Sequence, residues 1–204
     1  MLFRSHANLG SALFAMGRMQ KADDAFLKAL ALDAEWVPAL EGRGDVARAA
    51  GQLKDAEGYY RQALTVQADA AASHYGLGSM GLAAGAHEAA TAHFRQAVQG
   101  DGAYIGVLND DAWRLATDPD PGVRAPRQAL VLATLADQLT GHEVAELLDT
   151  LAAAQAANGD FPQAVKTLER ALALAPGSSA AEYMGEFRER LALYRGGEAY
   201  VDGQ

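Results

Sequence analysis

Residues 74–85 read HYGLGSMGLAAG, and their glycines Gly76, Gly78 and Gly81 have the G-x-G-x-x-G spacing of a dinucleotide-binding loop. Asp101 lies 20 residues after Gly81, near the place of the acid that binds the ribose in such sites. A dinucleotide loop follows a buried strand, however, and no apolar run rich in β-branched residues precedes this stretch. The surrounding sequence must therefore decide what these glycines do.

A repeat with a period of 34 residues offers another explanation for the glycines. Shifting the sequence by this period aligns five columns of identical or similar residues over three copies. The columns are Gly10, Gly44 and Gly78; Gly17, Gly51 and Gly85; Ala22, Ala56 and Ala90; Phe26, Tyr60 and Phe94; and Ala29, Ala63 and Ala97. A fixed period of this length is typical of repeat architectures. The pattern predicts helix packing rather than a cofactor site.

Each copy predicts two helices. Apolar and small residues recur at steps of three and four, as on helices with one buried face. The column that begins at Gly17 lies between the two segments, where a left-handed C-terminal cap favours glycine. The column that begins at Gly10 lies within the first helix, where glycine costs about 1 kcal/mol relative to alanine. We expect the alanine column of Ala22 to pack closely against these glycines and the aromatic column of Phe26 to fill the core between repeats.

Composition and charge exclude several classes of protein. The chain has 204 residues, of which 50% are hydrophobic and 21% charged, enough apolar residues for a substantial core. A net charge of −9 argues against nucleic acid as a partner, since clustered Lys and Arg hold phosphates. The absence of cysteine excludes disulfides and thiolate metal sites. No apolar run is long enough for a membrane span, so we expect no insertion into a membrane.

These columns resemble the tetratricopeptide repeat (TPR). The resemblance rests on the pairs Leu9-Gly10 and Leu77-Gly78, the turn glycines and the alanine and aromatic columns, and in the second copy Arg43 replaces the leucine. A further copy reads LLDTLAAAQAANGDFPQAVKTLERALALAP over residues 147–176. The family implies an all-α, right-handed superhelical solenoid of antiparallel helix pairs, here closed by a C-terminal capping helix.

We predict seven segments. They are the TPR hairpins 3–36, 37–70 and 71–104, an extended atypical hairpin 105–144, a fifth hairpin 145–178, a capping helix 179–195 and a loose tail 196–204. In the capping helix, Ala180, Tyr183, Met184, Phe187 and Leu191 fall on one predicted face.

The fourth hairpin has features of its own. Pro119, Pro121 and Pro126 predict a rigid loop, and Pro126 suits the first position of a helix. Its N-D-x-A-W-x-L-A-T motif from Asn109 resembles the atypical closing repeats of bacterial TPR proteins. In that group the repeats stand alone or follow a larger protein, including membrane glycosyltransferases. Since the first repeat begins near Phe3 with no cap before it, we expect the chain to be part of a longer protein.

Motifs for catalysis or for metal binding do not emerge from the sequence. His87 and His93 are six residues apart rather than the four that a helical zinc motif requires. No G-x-S-x-G is present, and the adjacent acids Asp23 and Asp24 point to different sides of a helix. We therefore predict a protein that is not an enzyme and has neither a cofactor nor a metal.

The TPR family implies a concave groove lined by the first helix of each pair. The groove residues are predicted to be Asn8, Ser11, Phe14, Glu41, Asp45, Arg48, Tyr75, Ser79, Leu82, Asn109, Asp110, Trp113 and Asp149. For Tyr75 contact with a ligand and packing within the repeat both remain open, and the acids of the second repeat suit solvated positions as well. Columns that hold Lys, Asn and Arg in domains that clamp a chaperone's C-terminus carry Ala7, Ser11, Gly42, Ala72 and Gly76, which excludes that role.

The predicted function is a non-catalytic scaffold for protein–protein interaction. Its partner would be a protein or peptide segment with basic and apolar anchors, because the groove columns carry acids and aromatic residues. One alternative is a regulatory or substrate-docking arm of a larger enzyme, such as a glycosyltransferase. Another is a module that forms homo-oligomers through the uncapped first repeat. We expect a cytoplasmic location, or a periplasmic one if the chain belongs to a larger membrane protein.

Overall fold

The computed structural model describes residues 1–203 and is entirely helical, with eleven α-helices, one short 3₁₀ helix and no strand in that range. The α-helices are α1 (Leu2–Ala15), α2 (Met19–Leu32), α3 (Val37–Ala49), α4 (Leu53–Val66), α5 (Ala71–Ala83), α6 (His87–Gly100), α7 (Tyr104–Thr117), α8 (Pro126–Leu139), α9 (Ala145–Ala157), α10 (Phe161–Leu174) and α11 (Met184–Arg195). The 3₁₀ helix covers Ser179–Tyr183. This confirms the all-α prediction, and the exact repeat boundaries remain predictions.

The chain divides into two compact units, Met1–Tyr104 and a second one from Ile105 onward. In the first unit α1 packs on α2, α3 on α4 and α5 on α6. The first helices also contact each other, α1 with α3 and α3 with α5, so they form a common surface. Among residues 1–203 no helix is long and apolar enough to cross a membrane.

Glycines in left-handed conformation follow the first helix of each pair in the first unit. Gly17, Gly51 and Gly85 have φ values of 71°, 74° and 78°, which confirms the predicted caps. After α1, the Gly17 amide donates to the Phe14 carbonyl and the Arg18 amide to that of Leu13. These two bonds satisfy carbonyls at the end of α1 and turn the chain into α2.

Aromatic rings fill the space beside the mid-helix glycines. A Cβ atom on Gly10 would lie 2.6 Å from the Phe26 ring, and one on Gly42 of the next hairpin would also overlap this ring. Tyr60 has the same relation to Gly44 and Gly76. A ring needs the volume of the missing side chain, which explains glycine at these positions. Close packing of the Ala22 column on the Gly10 column stays a prediction.

The G-x-G-x-x-G stretch lies inside α5 and is explained by packing. Gly76 accommodates the Tyr60 ring and Gly78 the Phe94 ring, while a Cβ on Gly81 would be 3.5 Å from the Ala90 Cβ. Each of the three glycines thus faces a neighbouring side chain within the first unit.

Arg43 shows how one repeat departs from the common pattern. Its Nε donates to Asp23 Oδ1 at 2.8 Å, and its guanidinium carbon lies 4.5 Å from the centre of the Tyr59 ring. An ion pair with the preceding hairpin therefore replaces the contact of the usual leucine. Asp23 thus takes part in an ion pair between two hairpins.

In the second unit α9 is the central helix, with eleven of its thirteen residues buried. It packs on α8 and on α10, and α11 covers α10. Phe187, Leu191 and Tyr194 of α11 join a buried cluster that contains Leu148 and Leu168. The capping function expected of this segment is therefore present, although it begins with a 3₁₀ turn.

Two positions at the ends of this unit's helices test the sequence predictions. Pro126 is the first residue of α8, as predicted. Tyr183, expected on the buried face of the cap, is instead 41% exposed. The 3₁₀ turn changes the angular step between residues, so the period of 3.6 does not hold across Ser179–Tyr183.

Candidate functional site

A cavity of about 420 Å³ opens between α7, α9 and the capping segment of the second unit. Its lining residues are Asn109, Asp110, Trp113, Glu146, Asp149, Thr150, Tyr183, Glu186, Phe187 and Arg190. The structure thus brings together Asn109, Asp110, Trp113 and Asp149, the four groove residues predicted for this part of the chain. We call this space the binding cavity.

An ion pair forms one wall of the binding cavity. Arg190 Nε donates to Asp149 Oδ1 at 2.9 Å and Nη2 donates to Oδ2 at 2.8 Å, a bidentate geometry. Each residue is only 5% exposed. Burial raises the pKa of Asp149 to about 6, although the guanidinium of Arg190 acts in the opposite direction. The charge of Arg190 is thus largely neutralised by Asp149.

Aromatic rings surround the Arg190 guanidinium. Its central carbon lies 5.2 Å from the ring centre of Trp113, 5.5 Å from that of Phe187 and 5.3 Å from that of Tyr200. These distances are within the range of cation–π attraction. Arg190 is consequently held from several sides and has little freedom to meet a ligand's anion.

The charge that remains accessible in the binding cavity is negative. Asp110 is exposed, and the Glu186 side chain is 60% exposed and only weakly paired with Arg190, at 3.3 Å. Glu146 accepts a hydrogen bond from Ser179 Oγ at 2.6 Å and keeps its carboxylate at the cavity. Beside these acids, Trp113 and Tyr183 supply apolar ring surface. The arrangement suits a cation with an apolar stem.

One acceptor in the cavity wall has no hydrogen-bond partner within residues 1–203. It is the buried Oδ1 of Asn109, on α7. Buried acceptors without a partner are costly and uncommon.

The predicted groove acids of the first unit hold neighbouring helices together. One Glu41 oxygen accepts from both the backbone amide and the hydroxyl of Ser73, each at 3.0 Å, and burial raises the Glu41 pKa. Asp45 Oδ1 accepts from the Tyr60 hydroxyl at 2.8 Å and from Arg48 Nη2 at 3.3 Å. These side chains connect α3 to α5 and α4.

Tyr75 packs between two rings of the first unit. Its ring centre lies 5.8 Å from that of Phe94 and 5.3 Å from that of Tyr104. Burial, with Glu41 and Asp45 nearby, raises the pKa of Tyr104 to about 12. An aromatic and acidic patch therefore exists here too, but its acids already have partners.

The other predicted residues of the first unit differ in exposure. Asn8 and Ser11 are exposed, Phe14 and Ser79 are half-buried, and Leu82 is buried. Ser11 Oγ donates to the Ala7 carbonyl at 3.3 Å.

Sequence reasoning missed several residues around the binding cavity, above all Arg190. Its spacing from Phe187, Leu191 and Tyr194 places it on the buried face of α11, and a charged residue at such a position indicates a buried partner. Asp202 was missed because the last residues were predicted to be loose. Its carboxylate is instead bound to α7, through Trp113 Nε1 at 3.1 Å.

Histidines form a pair but no larger cluster. His74 Nδ1 and His93 Nδ1 are 3.0 Å apart, and His74 Nε2 is 3.1 Å from the Ala68 carbonyl. Within the described residues no three His, Cys, Asp or Glu side chains are grouped so that they could hold a metal ion.

Solved structures show similarity over nearly the whole chain. A thermophilic TPR protein of Thermus thermophilus is 18% identical with a TM-score of 0.54, and the match covers 95% of this chain and 98% of that one. PilF of Pseudomonas aeruginosa is also 18% identical, with a TM-score of 0.56 and coverage of 95% and 91%. Yeast Tom70 is 16% identical with a TM-score of 0.54, and the match covers 93% of this chain and 39% of that one. At these identities the likeness shows the fold.

Family models identify the repeats directly in the sequence. Three models described as tetratricopeptide repeat match residues 3–35, 41–105 and 145–185, together about two thirds of the chain. No curated protein matches the chain in sequence. The repeat matches, together with helix pairs that end their first helices at left-handed glycines, place the chain in the tetratricopeptide repeat family.

Proposed function

We propose that this chain is a non-catalytic scaffold that binds a segment of another protein, with the binding cavity of the second unit as the contact. The TPR fold suggests a protein–protein interaction scaffold. The observation that supports the specific proposal is the binding cavity itself, where four predicted groove residues surround one space of about 420 Å³.

The partner segment carries a lysine or arginine that enters the binding cavity. Arg190 is neutralised by Asp149, so Asp110, Glu146 and Glu186 determine the local potential. The aliphatic stem of the entering side chain packs on Trp113, as long cationic side chains do when they cover apolar surface. Apolar neighbours in the partner then contact the exposed ring of Tyr183.

The test is a selection of peptides from a random library on the wild-type protein, followed by titration of a selected peptide. In the variant Glu146→Gln, Glu186→Gln we expect the Kd to rise about tenfold, because two charges facing the ligand are lost. The control variant is Glu35→Gln, Glu143→Gln, which removes the same charge at two exposed positions outside the cavity.

Glu41 and Asp45 are unsuitable for such a test because they lie outside the binding cavity. An equal Kd in the test and control variants would contradict binding of the peptide at the carboxylates of the binding cavity. Selected peptides without Lys or Arg would contradict the proposed anchor.

Self-association is a second candidate function, favoured by exposed apolar side chains on α1 and at the residue that follows it. Leu2 is 68% exposed, Leu9 52% and Met16 68%. Leu77, in the same column as Leu9, packs against the preceding hairpin beside Tyr60. A second copy would bury Leu9 in the same way. Light scattering would show a mass that rises with concentration in the wild type and stays monomeric in Leu9→Glu, whereas a constant wild-type mass would contradict this function.

A further inference from the structure

The last described residues, 198–203, are attached to α7 and α11, and we call them the C-terminal segment. Asp202 Oδ2 lies 3.1 Å from Trp113 Nε1 and 2.8 Å from Thr117 Oγ1, both of which donate to it. The Asp202 amide donates in turn to the Thr117 carbonyl at 2.9 Å. One aspartate therefore connects the end of the chain to two side chains of α7.

A second residue of the C-terminal segment contacts the wall of the binding cavity. The Tyr200 ring centre lies 5.8 Å from that of Trp113 and 5.3 Å from the Arg190 guanidinium carbon. Trp113 and Arg190 both line the binding cavity. The C-terminal segment thus supports two cavity residues without belonging to the cavity lining.

The attachment depends on few residues. A second cavity of about 510 Å³ is lined by residues of α11 and of the C-terminal segment, among them Leu193, Glu198 and Val201. The contacts of the segment with Trp113 come from Tyr200 and Asp202. Loss of the Asp202 carboxylate would leave the Trp113 indole N–H, a group that usually has a partner when buried, without its acceptor.

We propose that the C-terminal segment is a positioning element of the binding cavity: Asp202 and Tyr200 hold Trp113 and Arg190 in the geometry that receives the ligand. The effect on ligand affinity rests on the proposed function, whereas the effect on Trp113 does not. Because the buried core of α9, α10 and α11 does not include Asp202, we expect the fold to persist without its carboxylate.

The first measurement concerns Trp113 alone and is made in a Trp36→Phe background, since the chain has two tryptophans. In Asp202→Ala we expect a red-shifted emission and about a twofold larger acrylamide quenching constant, with an unchanged helical circular-dichroism spectrum. Asp202→Asn retains one acceptor oxygen and should give intermediate values. Glu198→Ala, in the same segment, is the matched control and should leave both values unchanged.

The second measurement uses N-acetyl-arginine methylamide as a probe, followed through the Trp113 indole N–H signal in NMR titrations. We expect a millimolar Kd in the wild type, at least a threefold higher Kd in Asp202→Ala and an unchanged Kd in Glu198→Ala.

The two measurements separate the two proposals. Unchanged fluorescence in Asp202→Ala overturns the positioning role, whatever the probe does. An altered fluorescence together with no wild-type response to the probe supports positioning and contradicts the cationic ligand of the proposed function. Altered fluorescence with equal affinity in wild type and Asp202→Ala overturns the link between the segment and binding.

Discussion

At the scale of single residues, glycine positions are set by aromatic rings. Gly76 and Gly78 are two residues apart, hence about 200° apart around an α-helix, and face opposite neighbours. Gly76 meets Tyr60 of the preceding hairpin and Gly78 meets Phe94 of its own. Because α5 packs between two aromatic rings, it carries glycines at the spacing of a nucleotide-binding loop. Packing against aromatic rings and binding of a dinucleotide can both require glycines at this spacing, so only the 34-residue repeat distinguishes the two explanations.

Gly76→Ala tests this packing. The added methyl group would overlap the ring of Tyr60, which is fully buried, so we expect a loss of about 1–3 kcal/mol in the free energy of unfolding. The measurement is chemical denaturation followed by circular dichroism.

Gly58→Ala is the matched control because Gly58 is an exposed helical glycine with no atom within 4 Å of an added Cβ. It should stabilise the protein by about 0.5–1 kcal/mol through the helix preference of alanine. Equal effects at both positions would mean that the Tyr60 ring moves aside freely.

At the scale of helices, α11 combines a capping role with a cavity wall. Its apolar residues cover α10, and Arg190 on the same face reaches Asp149 of α9. A buried pair of this kind is costly to break from one side, since the remaining charge loses its partner. The cap is therefore bound to one place on α9 by charge as well as by apolar contact.

The titration of Asp149 gives a pH prediction. Its pKa in the folded protein is about 6, above its ordinary value of 3.8, so at intermediate pH the folded state binds more protons than the unfolded state. The contribution of this group to stability is therefore present at low pH and is lost as the pH rises through about 6.

We expect the Tm of the wild type, relative to that of Asp149→Asn, to be higher at pH 5 than at pH 7. Differential scanning calorimetry of both proteins at the two pH values measures this difference. The opposite trend would mean that attraction to Arg190 outweighs burial and lowers the pKa of Asp149.

At the scale of the whole molecule, the net charge is consistent with the cationic partner proposed for the binding cavity. The chain carries a net charge of −9, and the accessible ionic groups of the binding cavity are mainly carboxylates. In the proposed complex, overall charge would govern long-range attraction, whereas the cavity would provide short-range contacts.

Salt dependence distinguishes these contributions. For a lysine- or arginine-containing peptide selected on the wild type, we expect the Kd to rise severalfold between 50 and 500 mM NaCl, because salt screens exposed charges. Isothermal titration calorimetry at several salt concentrations measures it. The charge-neutralised variant Glu146→Gln, Glu186→Gln should show a weaker dependence, and a Kd independent of salt would assign binding to apolar contacts alone.

The amino-acid sequence by itself determined the helical hairpins, the family and the turn glycines, because these depend on periodicity and on local backbone preference. It also predicted that Asn109, Asp110, Trp113 and Asp149 lie on the first helices of their hairpins, since the repeat columns place them there. Only the tertiary structure decided which polar groups already have partners. Arg190 meets Asp149 across 41 residues of sequence, and Asp202 meets Trp113 across 89. Such contacts join elements with no fixed sequence spacing, so their geometry is set by packing of the folded chain.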